Sequence, residues 1–404
     1  MATILITDGE QRAALAITRS LGRVGHRCLV ASETGRSLAG SSRYAHRQIR
    51  LPDPAACPAA FADAVRRAAG GDNVDVILPV TEPAILALLA VRETIPAVVP
   101  FPGLGPFRAI CDKQRVLVVA RELGIAVPRQ WEVATPDQIP PLEIHQPVVL
   151  KPARSVYTAP DGTRGKVGVR WARKVAELTA ALQRYPAPAF PVLVQERIVG
   201  PGTGIFVLLH QGQCLARFSH LRLREKPPSG GVSVACQSEP MDGALLEQSL
   251  ELLRRFDWSG VAMVEYKRDA ATGQPFLMEV NGRFWGSLQL AIDAGVDFPR
   301  ILVDVALGRE TAPVTDYGFS RIRWLWGDVD HVIARWRPPD GGWRDGLGAA
   351  RDWLRAFGPG YREEVLRWRD PRPFGHETGT WLRQVLRPGA QKARRGSLPE
   401  TPSA

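Results

Sequence analysis

Apolar and polar positions alternate along the first hundred residues in a way that separates strands from helices. Ile4 to Thr7 is a short β-branched run, closed by Asp8-Gly9 and followed by a helical spacing of Leu15, Ile17 and Leu21. Cys28 to Ala31 reads as a second strand and Val74 to Leu78 as a buried strand. Pro83 to Val91 reads as a helix with proline in its first turn, and Ala97 to Val99 as a further strand. Strands alternating with helices predict a parallel α/β sheet over residues 1–110. The turn after the first strand is Thr7-Asp8-Gly9-Glu10 and not a GxGxxG, which excludes the dinucleotide fingerprint.

From Cys111 the pattern changes to a β-rich, α+β one over residues 111–309. A helix is predicted for Asp112 to Leu123. Strands are predicted at Val148–Leu150, Val192–Gln195, Ile205–Leu209, Cys214–Ser219, Ser233–Gln237, Val261–Tyr266 and Pro275–Val280. Ala153 to Val169 carries Gly162, Gly165 and Gly168 among polar residues and reads as a mobile loop. Residues 310–388 hold seven of the eleven tryptophans, and Asp345 to Phe357 has a helical period with Leu347, Trp353, Leu354 and Phe357 apolar. Such tryptophan density predicts an accessory segment packed on the preceding domain. Residues 389–404 are polar and expected to be disordered.

The length of 404 residues suggests two to four domains, and 45% hydrophobic against 23% charged residues is ordinary for a globular chain. The five cysteines are scattered, without a CxxC or a Cys/His cluster, which argues against a zinc site and a disulfide framework. No 18-residue apolar run is free of charge, so no membrane span is read. Asp8 and Glu10 interrupt the place where a signal peptide needs its apolar core, and the expected compartment is the cytoplasm. The net charge of +11 comes from 52 basic residues of which only seven are lysines. They are dispersed, without an RNP, C2H2 or basic-zipper pattern, so no nucleic acid is expected as the primary partner.

The chemistry concentrates between Val261 and Arg283. Two apolar runs joined by a turn at Asp269–Gly273 are each broken by a glutamate, Glu265 and Glu279. Pairing the strands would gather Glu265, Glu279 and Asn281, the last two on one face. Paired carboxylates repel unless a cation neutralises them, and hard oxygen ligands of this kind suit Mg²⁺ or Mn²⁺. Two glutamates on a solvent-facing edge would give the same pattern.

Around them lie Asp112-Lys113, Leu150-Lys151-Pro152, Gln195-Glu196-Arg197-Ile198, Val264-Glu265-Tyr266 and Glu279-Val-Asn281-Gly-Arg283-Phe-Trp-Gly286, in that order. The ordered set resembles the ATP-grasp superfamily, and within it the bacterial carboxylate–amine-ligase-like proteins, over about Lys113 to Leu307. The resemblance implies a pre-ATP-grasp α/β domain, an ATP-grasp fold and ATP with Mg²⁺ (or Mn²⁺) as cofactors. It implies that Lys113 and Lys151 contact phosphates and that Ala153 to Val169 covers them. Glu196, Arg197 and Ile198 would form the hinge at the adenine, and Glu265, Glu279 and Asn281 would ligate the metal. Arg283 would face the γ-phosphate or an acyl phosphate. One departure stands out: Val199-Gly-Pro-Gly-Thr203-Gly204 carries no acidic residue for the ribose, leaving ribose recognition either weaker or made by Thr203 or by backbone.

His220, Arg222 and Arg224 alternate along one strand and would point to one face, an anion site for a substrate carboxylate. Ser229-Gly230-Gly231 is a turn able to offer N–H groups to an oxyanion. The resemblance implies a ligase that activates a carboxylate as an acyl phosphate and joins it to an amine. The expected partners are therefore a small-molecule carboxylate and amine, with a homodimer left open. The rival readings are carboxylation through carboxyphosphate and a non-catalytic nucleotide-binding protein of the same fold.

Overall fold

The computed structural model describes residues 1–338 and 341–386, so the tail 389–404 lies outside the described residues. The chain begins with a parallel sheet of β1 (Thr3–Ile6), β2 (Arg27–Ser32), β3 (Ala45–Arg50) and β4 (Val76–Leu78) in the order β3-β2-β1-β4. Around it lie α1 (Arg12–Arg23), α2 (Pro58–Gly71), α3 (Glu82–Leu89) and α4 (Leu104–Ile110). β1 and β4 are apolar on both faces because helices cover both, as a parallel sheet requires. The edge strand β3 is the polar run Ala-His-Arg-Gln-Ile-Arg, which gave no hydrophobic signal. The strand expected at Ala97–Val99 reduces to one bridge between Val98 and Val76.

α5 (Lys113–Glu122) leads into a small antiparallel sheet. Its strands are β5 (Gln130–Val133), β6 (Val148–Pro152), β9 (Arg170–Ala172) and β10 (Val192–Glu196), ordered β5-β10-β6-β9 with α6 (Val175–Leu182) against them. Val133, Leu150, Leu178, Leu182 and Val194 form its own core. Between β6 and β9 the segment read as a mobile loop forms a hairpin of β7 (Val156–Thr158) and β8 (Arg164–Lys166). A side chain at Gly165 would sit 2.2 Å from the Tyr157 ring opposite, so glycine lets that ring lie across the backbone. The hairpin rests on the N-terminal layer through Arg164 N–H to Ala55 O (2.8 Å) and Arg164 Nη1 to Pro83 O (3.1 Å).

A seven-stranded sheet follows. Its members are β11 (Gly202–His210), β12 (Gln213–Lys226), β13 (Val232–Ser238), β14 (Gly260–Arg268), β15 (Pro275–Asn281), β16 (Arg321–Arg323) and β17 (Arg362–Glu363). The order is β15-β14-β11-β12-β13-β16-β17. Period-two alternation sends Ile205, Val207 and Val264 to one face, with α7 (Gly243–Arg254), and Phe206 and Met263 to the other. There they meet α1, α8 (Leu288–Ala294) and α9 (Phe298–Ala306). Both cores also contain residues of the first sheet, Leu5 and Ile77 in one, Ile4 and Ile6 in the other, so the N-terminal layer and the large sheet pack as one body.

The C-terminal stretch is woven into that body. β16 pairs with β13, and α10 (Leu325–Arg335), α11 (Trp343–Arg355) and α12 (Arg372–Leu386) follow. Arg19 of α1 is 1% exposed; it binds Asp370 (2.9 Å) and the backbone carbonyls of Glu364, Val365 and Asp370. Trp326 stacks on Trp381 with centroids 4.2 Å apart. The tryptophans are not uniformly packed, however: Trp336, Trp343 and Trp368 are exposed, as are Leu347, Leu354 and Phe357. Among the described residues no helix is long and apolar enough to cross a membrane.

Candidate active site

A cavity of about 410 Å³ opens between the small and large sheets. One part is apolar, lined by Val149, Val167, Val169, Trp171, Ile198 and Met278. β10 ends there at Glu196, whose N–H is tied to Arg129 O (2.9 Å), while Arg197 lies over the Trp171 ring at 5.3 Å. The chain then leaves through Gly200, whose φ of +152° and whose contact with Arg268 O, 1.9 Å from a built Cβ, only glycine tolerates.

The polar part is built by strand register. Glu265 on β14 pairs directly with Glu279 on β15, and Met263 with Asn281. Asn281 Nδ2 donates to Glu279 Oε1 (3.0 Å), and Arg283 Nη2 donates to Asn281 Oδ1 (3.0 Å). Lys113 enters because Asp112 caps α5, accepting from Arg115 N–H, which turns the next side chain inward. Its Nζ lies 2.7 Å from Ser155 Oγ and 3.3 Å from Glu279 Oε2. Burial raises the Glu279 carboxyl, but Lys113 and Lys151, the Asn281 hydrogen bond and Arg283 outweigh it and hold it at about 2. Burial works against the Lys113 ammonium, and Glu279 and Glu82 reverse this and raise it. Lys151 is lowered, chiefly by burial, and has no hydrogen-bond partner among the described residues.

Arg222 reaches the same cavity from β12 and forks onto Glu265, at 2.9 Å to Oε1 and 2.7 Å to Oε2, with Glu225 at 3.0 Å. Burial lowers this guanidinium and the two carboxylates more than restore it, so its pKa is raised. The cavity also takes in Ser229, Gly230 and Gly231.

Arg224 does not join it. The β12–β13 pairing is irregular between Arg222 and Arg224, which breaks the alternation that the sequence suggested. Arg224 instead makes a bidentate pair with the fully buried Asp328 of α10, at 2.7 and 2.6 Å. Thr203 is likewise corrected as a ribose contact: it is fully buried, with its hydroxyl 2.8 Å from His220 O and 3.0 Å from Glu239 Oε2.

Two residues of the N-terminal layer belong to the site and were missed. Arg12 borders the cavity, paired with Glu364 and stacked 4.1 Å from the Trp324 ring. Glu82 lines a small adjoining cleft with Lys113, Glu279 and Arg283, and its pKa is raised by burial against the pull of Lys113 and Arg283. A lone carboxylate at the head of an apolar helix was the one signal for Glu82; Arg12 had none.

Two carboxylates and an amide oxygen from adjacent strands are a hard donor set that fits Mg²⁺ or Mn²⁺, with water and phosphate completing the shell. Among the described residues no group of three or more His, Cys, Asp or Glu side chains offers another metal centre.

Comparison with known proteins agrees with this architecture. Residues 190–326 match a family model described as "ATP-grasp in the biosynthetic pathway with Ter operon". The L-amino acid ligase from Bacillus licheniformis superposes with a TM-score of 0.60 at 18% identity, covering 77% of this chain and 75% of that one. N5-carboxyaminoimidazole synthetase from Staphylococcus aureus superposes at 0.61 and 13% identity, over 81% and 83%. Biotin carboxylase from Campylobacter jejuni superposes at 0.60 and 16% identity, over 77% and 72%. No curated protein sequence matches.

Proposed function

We propose that this chain, which has the ATP-grasp fold, is a ligase that uses ATP to activate a small-molecule carboxylate as an acyl phosphate and joins it to an amine. The observation that carries this is the convergence, in one cavity, of an apolar slot, a cluster of lysines and arginines and a cross-strand pair of carboxylates. The slot beside the hinge at Glu196, Arg197 and Ile198 suits a purine ring, with backbone groups at its edge. Lys113, Lys151 and Arg283 neutralise the phosphates, Lys151 having no hydrogen-bond partner among the described residues.

Glu265, Glu279 and Asn281 would hold Mg²⁺ or Mn²⁺, which when bound supplies charge neutralisation at the β- and γ-phosphates. Phosphorylation solves the difficulty that a carboxylate has no leaving group. Attack of its oxygen on the γ-phosphorus gives the acyl phosphate and ADP. Arg222, already gripping Glu265, orients the donor carboxylate from β12. The β7–β8 hairpin, resting on the N-terminal layer, keeps water from the activated acid. No serine or cysteine nucleophile is needed.

The test is ADP release, with and without Mg²⁺, over a panel of carboxylates and amines, bicarbonate being assayed separately. Amine-dependent ADP and phosphate in equal amounts support the ligase. Turnover with bicarbonate alone would move the activity to carboxylation, and ATP binding without turnover to a non-catalytic role.

A further inference from the structure

His220 of β12 is 1% exposed, yet its ring borders the cavity. Nδ1 lies 3.3 Å from Ser287 Oγ, whereas Nε2 is buried with no hydrogen-bond partner among the described residues. Packing holds the ring at the cavity wall. It packs edge-on to Phe206 with centroids 4.6 Å apart, and Trp285 closes on Phe206 at 4.3 Å. Its backbone is held between β11 and β13. A fixed, orphaned polar atom at a cavity wall calls for a ligand.

The neighbouring groups narrow the choice of ligand. Arg12, Lys113, Lys151 and Arg222 are donors only. The carboxylates are committed, Glu265 and Glu225 to Arg222, Glu279 to Lys113 and Asn281, while Glu196 sits at the hinge. An imidazole that gives its Nδ1 proton to Ser287 Oγ has its lone pair at Nε2. That lone pair, with no hydrogen-bond partner among the described residues, is open to an incoming N–H at the cavity wall.

We propose that His220 receives the acceptor amine at Nε2 and takes its proton as the amide bond forms, a role that rests on the ligase reading above. The nitrogen lone pair attacks the acyl carbon and forms the C–N bond. The acyl C–O bond breaks with its electron pair leaving on phosphate. The proton lost from nitrogen passes to Nε2 and from there to the departing phosphate, which restores the neutral imidazole. Burial first, and the Arg222 charge second, push the His220 pKa well below the usual histidine value. The ring is therefore neutral at rest, with the Nε2 lone pair free, and gives a proton up promptly once it has taken one. Ser287 is a positioning residue that fixes the tautomer.

The experiment pairs a panel of carboxylic acids, the proteinogenic amino acids among them, with an amine or with hydroxylamine, following ADP, amide and hydroxamate. Hydroxylamine, uncharged at neutral pH and a strong nucleophile, captures an acyl phosphate without a protein base, its proton passing to water. In H220Q and H220N, hydroxamate formation should stay within about threefold of wild type while amide formation falls roughly a hundredfold or more. S287A should lose amide formation selectively, to a smaller degree. The rise in melting temperature on adding ATP verifies that each variant keeps the fold and the nucleotide site. Equal loss with both acceptors, or no loss with either, overturns the role of His220. A wild type that makes neither ADP nor hydroxamate from any acid overturns the ligase reading itself, so the two failures are told apart.

Discussion

Glu265 faces Glu279 directly across the β14–β15 pair, and each carboxylate is met by a cation from a different part of the chain, Arg222 for one and Lys113 for the other. Like charges opposite each other on neighbouring strands destabilise a sheet. The protein holds the pair by surrounding it with guanidinium and ammonium groups. The same cations suit triphosphate, so the charge balance that lets the strands pair also prepares the site.

Removing the charge of Glu279 tests its place in that balance. Glu279→Gln should keep the fold and lose most turnover, since a neutral amide cannot balance a divalent cation. A loss of about 3 kcal/mol of transition-state stabilisation is roughly a hundredfold in rate. ADP formation at the wild-type rate would remove Glu279 from the chemistry.

Arg222 and Arg224 should separate cleanly despite lying two residues apart. Arg222→Lys loses the fork onto Glu265 and should raise KM for the acid or lower kcat, with little change in melting temperature. Arg224→Ala strands the buried Asp328 and should cost about 3–5 kcal/mol in urea unfolding, with KM unchanged. A KM effect of Arg224→Lys as large as that of Arg222→Lys would return Arg224 to the site.

Glu377 gives a pH signature in stability. Burial lifts its carboxyl from 4.5 to about 7, against the hydrogen bond from Trp324 Nε1. The folded protein then holds a proton that the unfolded chain releases, so this contribution is present below about pH 4.5 and is lost as pH rises through about 7. Glu377→Gln, permanently neutral, should gain on the order of 2–3 kcal/mol relative to wild type at pH 8, and the gain should vanish toward pH 4. Denaturant melts at the two pH values decide it; an equal gain at both would exclude the titration.

Arg19 ties α1 to the C-terminal stretch. Arg19→Met leaves Asp370 buried with only Ser42 and the Arg43 N–H as partners and three carbonyls unbonded, so a loss of roughly 3–5 kcal/mol is expected. Calorimetry would show this as a lower melting temperature of the whole body rather than a separate early transition.

Deleting everything from Glu310 onward should yield aggregated protein in size-exclusion chromatography. The cut removes β16, bares the β13 edge, and strips Arg12 and Arg19 of their partners. A soluble, fully active truncation would show that the stretch is dispensable.

Local pattern carried a large part of this protein. Period-two alternation in 261–281 already placed Glu265, Glu279 and Asn281 within reach of one another, because strand geometry repeats every second residue. The apolar runs of β1 and β4 identified the parallel layer, and Asp112-Lys113 marked the start of a helix, the role of Lys113 coming from the ATP-grasp resemblance. Tertiary structure alone decided the rest. β3 is polar because it is an edge, so its sequence carries no strand signal. The irregularity that diverts Arg224 to Asp328 depends on how β12 meets β13 and α10, which no spacing within β12 encodes. Arg12 and Glu82 enter a site whose other residues begin at Lys113, through contacts made only when the N-terminal layer packs on the large sheet. His220 keeps Nε2 without a partner among the described residues because Ser287 and Phe206, distant in sequence, meet its ring, Phe206 being backed by Trp285.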